Sequence, residues 1–214
     1  MRKLDRSSVQ EPSCLKKYNA DRQTWDDIRD DKPAIRQALG EMQGWRCAYC
    51  EESLDVERHI DHFRPKMRYR ELTFAWTNLF LSCDSKDSCG HYKDGAGKLG
   101  KGYGAAKYDP RDLVDPCIED PSEFLYFHSD GSVRQRRKLP AEKARRAAET
   151  LRVFNLNHTT LMKRRRQVAD DYHHLLDSLA ECDDVERLEK IQKELELSSG
   201  KPFSAVIRHV LEQL

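Results

Sequence analysis

His59-Ile60-Asp61-His62-Phe63-Arg64-Pro65 stands between two cysteine pairs, Cys47-Ala48-Tyr49-Cys50 before it and Cys83…Cys89-Gly90-His91-Tyr92-Lys93 after it. Two cysteines two residues apart can hold one ion in a tight turn, and a second pair about thirty residues on can complete a tetrahedral site. The second pair is wide, with five residues between Cys83 and Cys89, but a loop of that length can still return to the metal. The plain alternative is two buried cysteine pairs without metal. Seven cysteines is an odd number, which in a reducing compartment favours metal ligands or buried thiols over disulfides. Cys47, Cys50, Cys83 and Cys89 are therefore the candidate zinc ligands, and the isolated Cys14, Cys117 and Cys182 read as structural.

Asp61-His62, between those pairs, has the makings of a phosphodiester-cleaving centre. Such chemistry needs a base to take a proton from water and a hard cation to neutralise the phosphate and the leaving oxygen. His62 suits the base, because imidazole titrates near neutrality, and Asp61 suits Mg²⁺, which prefers oxygen ligands. Neighbours on a strand point to opposite faces, so a local bend has to bring both to one substrate. A surface salt bridge is the bland reading of the pair. His91 can complete the metal site opposite Asp61; a zinc ligand replacing Cys83, or a loop histidine, are its other readings. Asn78, in Trp76-Thr77-Asn78-Leu79, can bridge two backbone groups or simply cap a helix. Lys93, Arg64 and Lys66 are candidate phosphate contacts. His59 shares the strand face of Asp61, and its role, support or cover, stays open.

Outward from this stretch, the 214 residues suit one domain, or a small domain with a helical extension. With 38% hydrophobic and 35% charged residues the chain is polar but not disordered, since aromatics and leucines run throughout. No apolar run approaches the ~20 residues that span a bilayer. The first six residues show no apolar signal segment, and a cytoplasmic location is expected. Between Gly131 and Asp170 twelve Lys/Arg face three acids. That block could track a phosphate backbone, although a solvated helix face is the plainer reading.

The pattern predicts an irregular arm over residues 1–30 and a helix over 33–43. In that helix Pro33 suits the first turn, Ile35, Leu39 and Met42 form the inner stripe, and Gly44 is the stop. A short β-like stretch runs from Val56 to Phe63, and an apolar one over 73–82 leads into Cys83. A hairpin is expected over 124–136, turning at Asp130-Gly131. Helices follow from Pro140, with an apolar stripe of Leu161, Val168, Tyr172, Leu175 and Leu179, then over 184–197 and 202–214. Gly95-Ala96-Gly97-Lys98-Leu99-Gly100-Lys101-Gly102 resembles a phosphate-binding loop. It lacks the metal-binding Ser or Thr and the preceding strand, so a nucleotide site is rejected.

The order Cys-x₂-Cys, Asp-His, Asn and Cys…Cys-x-His resembles the HNH, or ββα-metal, endonucleases. More narrowly, Asp61-His62-Phe63-Arg64-Pro65-Lys66 and Trp76-Thr77-Asn78-Leu79-Phe80-Leu81-Ser82-Cys83, with Leu113 to Pro121 and Phe124 to Phe127, resemble the PtuB-like nucleases of Septu and retron-associated antiphage systems. The resemblance covers roughly residues 1–160. It implies an α+β, helix-dominated fold with a small ββα-metal core and a Cys₄ zinc frame. It divides the chain into an arm and helix (1–44), the core (45–120) and a hairpin with helices (121–214). It implies His62 as general base, Asp61 and His91 as ligands of Mg²⁺ or another divalent cation, Asn78 as the positioning residue, and structural Zn²⁺ on the four cysteines. DNA or RNA, transfer RNA included, is the implied substrate. A PtuA-like ABC/SMC ATPase is the implied partner, joined in retrons by a reverse transcriptase and its multicopy single-stranded DNA. The chain departs from the usual pattern in the longer Cys83–Cys89 spacing and in Gly90 standing between Cys89 and His91. A non-catalytic zinc module that binds nucleic acid or docks on the ATPase is the competing class; it gives Asp61-His62 no task.

Overall fold

The computed structural model of the protein describes residues 1–55, 58–95, 104–105 and 107–212. The N-terminal arm is irregular, with single 3₁₀ turns at Arg6–Ser8, Ser13–Lys17 and Arg29–Asp31. It is tied down by Arg6, whose guanidinium donates to the carbonyls of Trp76 at 2.7 Å and Leu79 at 2.9 Å. Helix α1, Lys32–Gln43, starts with Pro33 in its first turn, where a missing N–H costs nothing. It turns Ile35, Leu39 and Met42 inward and stops at Gly44, whose φ of 57° is left-handed.

Strands β1, His59–His62, and β2, Leu79–Ser82, pair antiparallel, with Asp61 opposite Phe80 and His62 opposite Leu79. The expected stretch from Val56 is thus a shorter strand; Val56 and Glu57 lie outside the described residues. A two-stranded sheet is marginal alone, and here it is held from several sides. The Gln43 amide donates to the carbonyls of Arg46 and Leu81, and its oxygen accepts from Leu81 N at 2.8 Å, extending β2 as a further strand would. A ring cluster fills the interior, with Tyr49 stacked on Phe154 at 4.0 Å and Phe63 at 5.8 Å from Phe80. Helix α2, Cys89–Lys93, packs on β1.

Strands β3, Leu125–Phe127, and β4, Val133–Gln135, form the second antiparallel pair. Gly131 has φ 82°, and a Cβ there would lie 2.0 Å from the Met162 carbonyl, so only glycine lets the turn approach the helix behind it. That helix is α4, Thr159–Ser178, preceded by α3, Ala141–Val153, and followed by α5, Asp184–Ser198, and α6, Ser204–Leu211. The last is shorter than the expected 202–214, whose end, residues 213–214, lies outside the described residues. The core-facing stripe of α4 is not wholly apolar. Leu161, Arg165 and Ala169 are its buried residues, while Leu175 stays half-buried. The molecule is a helix-rich α+β structure with two small sheets. Among the described residues no helix is long and apolar enough to cross a membrane. The glycine- and lysine-rich stretch lies outside the described residues from 96 to 103.

Candidate active site and cysteine cluster

Cys47 and Cys50 sit on a tight turn closed by Cys47 N to Glu52 O at 2.8 Å and Glu51 N to Cys47 O at 3.0 Å. Glu51 takes φ 68° to make it. Cys83 follows β2 directly, and Cys89, with φ 58°, opens α2. The five-residue loop does return: Cys50 and Cys83 are 3.9 Å apart, and all four sulfurs lie within 4.8 Å of one another, buried. Such a set can hold one tetrahedral ion. Among the described residues it is the one group of three or more Cys, His, Asp or Glu so closely gathered.

Next to it lies a charge that needs explaining. Arg165 is 1% exposed, pairs with no carboxylate among the described residues, and donates one hydrogen bond, to the Gly131 carbonyl at 3.1 Å. Among the described residues its Nε has no hydrogen-bond partner. The groups whose negative charge would favour the guanidinium are Glu51 and, if ionised, Cys50 and Cys89. A buried guanidinium without a counter-charge is very costly. Four thiolates around one divalent ion would supply that counter-charge.

Asp61 and His62 leave β1 on opposite faces, as strand geometry demands. Asp61 is fully buried. Its Oδ2 accepts from the Tyr49 hydroxyl at 2.5 Å, and its Oδ1 lies 3.3 Å from Lys93 Nζ and 3.8 Å from His59 Nε2. Burial pushes the Asp61 carboxyl up, but Lys93, His59 and Tyr49 outweigh it and hold the group well below the carboxylate range. Among the described residues Oδ1 accepts no hydrogen bond. Lys93, also buried, donates to the His62 carbonyl at 2.9 Å and to Asp94 at 2.7 Å.

His62 is 5% exposed, and its ring stands edge-on to Trp25 at 4.5 Å. Its Nε2 is 2.9 Å from the Thr73 carbonyl. A carbonyl only accepts, so Nε2 carries the proton and Nδ1 keeps a lone pair. Burial draws the imidazole down to about 4. Asn78 clamps the loop that carries this carbonyl. Its Oδ1 accepts from Arg64 N at 2.8 Å, and its amide donates to the carbonyls of Arg64 at 3.0 Å and Leu72 at 3.1 Å.

His91 lies across from β1. Its ring stacks on that of His59 at 4.3 Å and its Nε2 is 3.6 Å from Asp84 Oδ1. Burial and the neighbouring His59 lower its affinity for a proton. Asp61 and His91 form no gathered set with a third such donor, so a shared cation would draw His91 inward. The donor types nonetheless suit a divalent cation, because a buried carboxylate oxygen without a hydrogen bond among the described residues lies 3.8 Å from the His59 imidazole.

His59, His62, His91 and Lys93 line one open cavity of about 880 Å³. Lys32, Arg36, Lys66, Arg68, Lys86 and Lys107 also line it, drawn from segments far apart in the chain. Apart from Lys66 and Lys93, these cations were not singled out in the sequence, because no local density marks them. The dense block at 131–170 is spent largely on internal pairs: Arg145 with Asp112, Arg146 with Glu119, Arg164 with Glu52, and Lys143 with Glu123 at 2.9 Å. Arg165, read in the sequence as part of the 131–170 basic block, is instead buried, and Trp25 was not singled out, since its type in that context signals no site.

No family model matches the chain. It is 26% identical over 190 residues to a Septu protein PtuB of Bacillus mycoides (strain KBAB4), covering 76% of this chain and 62% of that one. To a Septu protein PtuB of Bacillus thuringiensis it is 36% identical over 97 residues, 44% of this chain and 33% of that one. The chain is PtuB-like. A candidate HNH endonuclease of retron Vc95 from Vibrio cholerae serotype O1 biovar El Tor is also similar, 22% identical over 147 residues, 66% of this chain and 67% of that one. The matched region spans three fifths or so of one PtuB relative and a third of the other.

Proposed function

We propose that this PtuB-like chain is a metal-dependent HNH-type endonuclease, the nucleic-acid-cleaving part of an antiphage defence complex of the Septu or retron kind. In this reading residues 45–120 are the ββα-metal core, 1–44 the arm and helix that brace it, and 121–214 the hairpin and helices that carry it. The carrying observation is His62, a buried imidazole at the floor of a cation-lined cavity, its proton fixed on Nε2 by the Thr73 carbonyl. That leaves Nδ1 as a lone-pair acceptor for a proton from water. Asn78 secures the loop that orients the ring. The scattered cations suit a phosphate backbone. A divalent cation, Mg²⁺ or another, held by Asp61 and His91 would neutralise charge building on the scissile phosphate. The products would be a 3′-hydroxyl and a 5′-phosphate. Structural Zn²⁺ on the four cysteines would frame the core. The proposed setting is cytoplasmic, on DNA or RNA, under control of a PtuA-like ATPase and, in a retron, of a reverse transcriptase and its multicopy DNA.

The test is cleavage of supercoiled plasmid and of total RNA by the purified chain, alone and with its ATPase, comparing wild type with His62→Ala. A fall of about a hundredfold or more in rate, with zinc content and melting temperature retained, is expected. Equal cleavage by both proteins removes His62 as the base. No cleavage by either, even with the ATPase, returns the chain to a zinc-framed docking module.

A further inference from the structure

We propose that His59 is a third ligand of the catalytic cation, and that its imidazole makes the site select manganese-class ions over magnesium. The inference rests on the metal-site reading of Asp61 and His91 above and adds a residue and a metal class to it. Three observations carry it. His59 and Asp61 are two apart on β1 and share one face, which puts His59 Nε2 3.8 Å from Asp61 Oδ1. That oxygen is wholly buried and, among the described residues, accepts no hydrogen bond, its other near cation being the Lys93 ammonium at 3.3 Å. His91 lies beside His59, its ring stacked on that of His59 at 4.3 Å.

Gly90 makes the approach possible. A Cβ there would lie 2.7 Å from Asp61 Oδ1, so the missing side chain lets α2 settle on β1. Lys93 is shared between two carboxylates. Its ammonium is 2.7 Å from Asp94, nearer than the 3.3 Å to Asp61, and its hydrogen bonds go to Asp94 and the His62 carbonyl. His91 is 40% exposed at its side chain and 3.6 Å from Asp84, and binding would need its ring to turn from Asp84 toward the oxygen. Two imidazoles and one carboxylate form a mixed nitrogen–oxygen set. Mg²⁺ prefers all-oxygen shells and keeps its waters, whereas Mn²⁺, Co²⁺ and Zn²⁺ accept imidazole readily.

The experiment is isothermal titration of untagged, zinc-loaded protein with MnCl₂ and with MgCl₂, for wild type, His59→Ala, His59→Gln, Asp61→Asn and His91→Ala. Nitrogen couplings in the pulsed electron paramagnetic resonance of bound Mn²⁺ give a readout independent of affinity. Wild type is expected to bind Mn²⁺ about tenfold or more tightly than Mg²⁺, and either His59 variant to lose most of that preference and one of two imidazole couplings. The Gln variant keeps a polar side chain in place should Ala disturb the strand. Mn²⁺ affinity and couplings unchanged in both His59 variants, while Asp61→Asn and His91→Ala abolish binding, would overturn this inference and leave the nuclease site standing. Binding unaffected by all four variants would overturn both.

Discussion

At the scale of single residues, His62 is a buried imidazole held by the Thr73 carbonyl. Its ordinary value is 6.5, and in the fold burial lowers it to about 4. The unfolded chain therefore takes up a proton on His62 well before the folded chain does. Stability is complete above pH 6.5, falls as pH drops through the window toward 4, and falls no further from this group below it. The loss should approach about 3 kcal/mol. Urea unfolding from pH 7 to 4 checks this: the difference in stability between wild type and His62→Asn should change across that window, and parallel curves would contradict it. Asn78 acts on the same ring at one remove, because it clamps the loop whose Thr73 carbonyl receives the His62 proton. We expect Asn78→Ala to destabilise the fold by about 2 kcal/mol through its stranded backbone partners. It should also lower kcat more than KM; an unchanged kcat in a folded variant would separate Asn78 from the orientation of His62.

Among the elements, the decisive joint is between the cysteine turns and helix α4. The turns at Cys47–Cys50 and Cys83–Cys89 have little regular structure of their own, so an ion on the four sulfurs would hold β1, β2 and α2 in place. Extraction with a strong chelator should lower the melting midpoint on the order of 10 °C or more, and re-addition of Zn²⁺ should restore it. Arg165 brings α4 into the same joint. Met is close to it in volume but uncharged, so Arg165→Met tests charge rather than packing. A loss of about 3 kcal/mol and faster zinc release are expected if the guanidinium balances metal-bound thiolates. A neutral or stabilising outcome would mean the buried cation has no such partner.

For the molecule as a whole, the useful charge is not where the sequence is densest in it. The block at 131–170 pairs mostly with acids from elsewhere, for example Arg145 with Asp112 and Arg164 with Glu52. The cavity instead gathers Lys32, Arg36, Arg68 and Lys107 from separate segments. Neutralising a cation that sits on a phosphate should reduce the salt slope of nucleic-acid binding by about one. Lys32→Gln, Arg68→Gln and Lys107→Gln should thus flatten the slope measured by fluorescence anisotropy at several salt concentrations. Arg164→Gln and Arg166→Gln should leave it unchanged; the reverse pattern would move the nucleic-acid surface to α4.

The amino-acid order alone carried the spaced cysteines, the Asp61-His62 pair, the α1 stripe, the Gly131 turn and the C-terminal helices. Each depends on neighbours within a few residues, where period, turn chemistry and ligand spacing are written directly. Folding in three dimensions decided the rest. It set Asp61 against Lys93, turned His62 to the Thr73 carbonyl, stacked His59 on His91, buried Arg165, and assembled a ring of cations from separate segments. Most of those partners are tens of positions apart in the chain. Their energies come from burial and from charges brought close in a low-dielectric interior, and no local pattern encodes them.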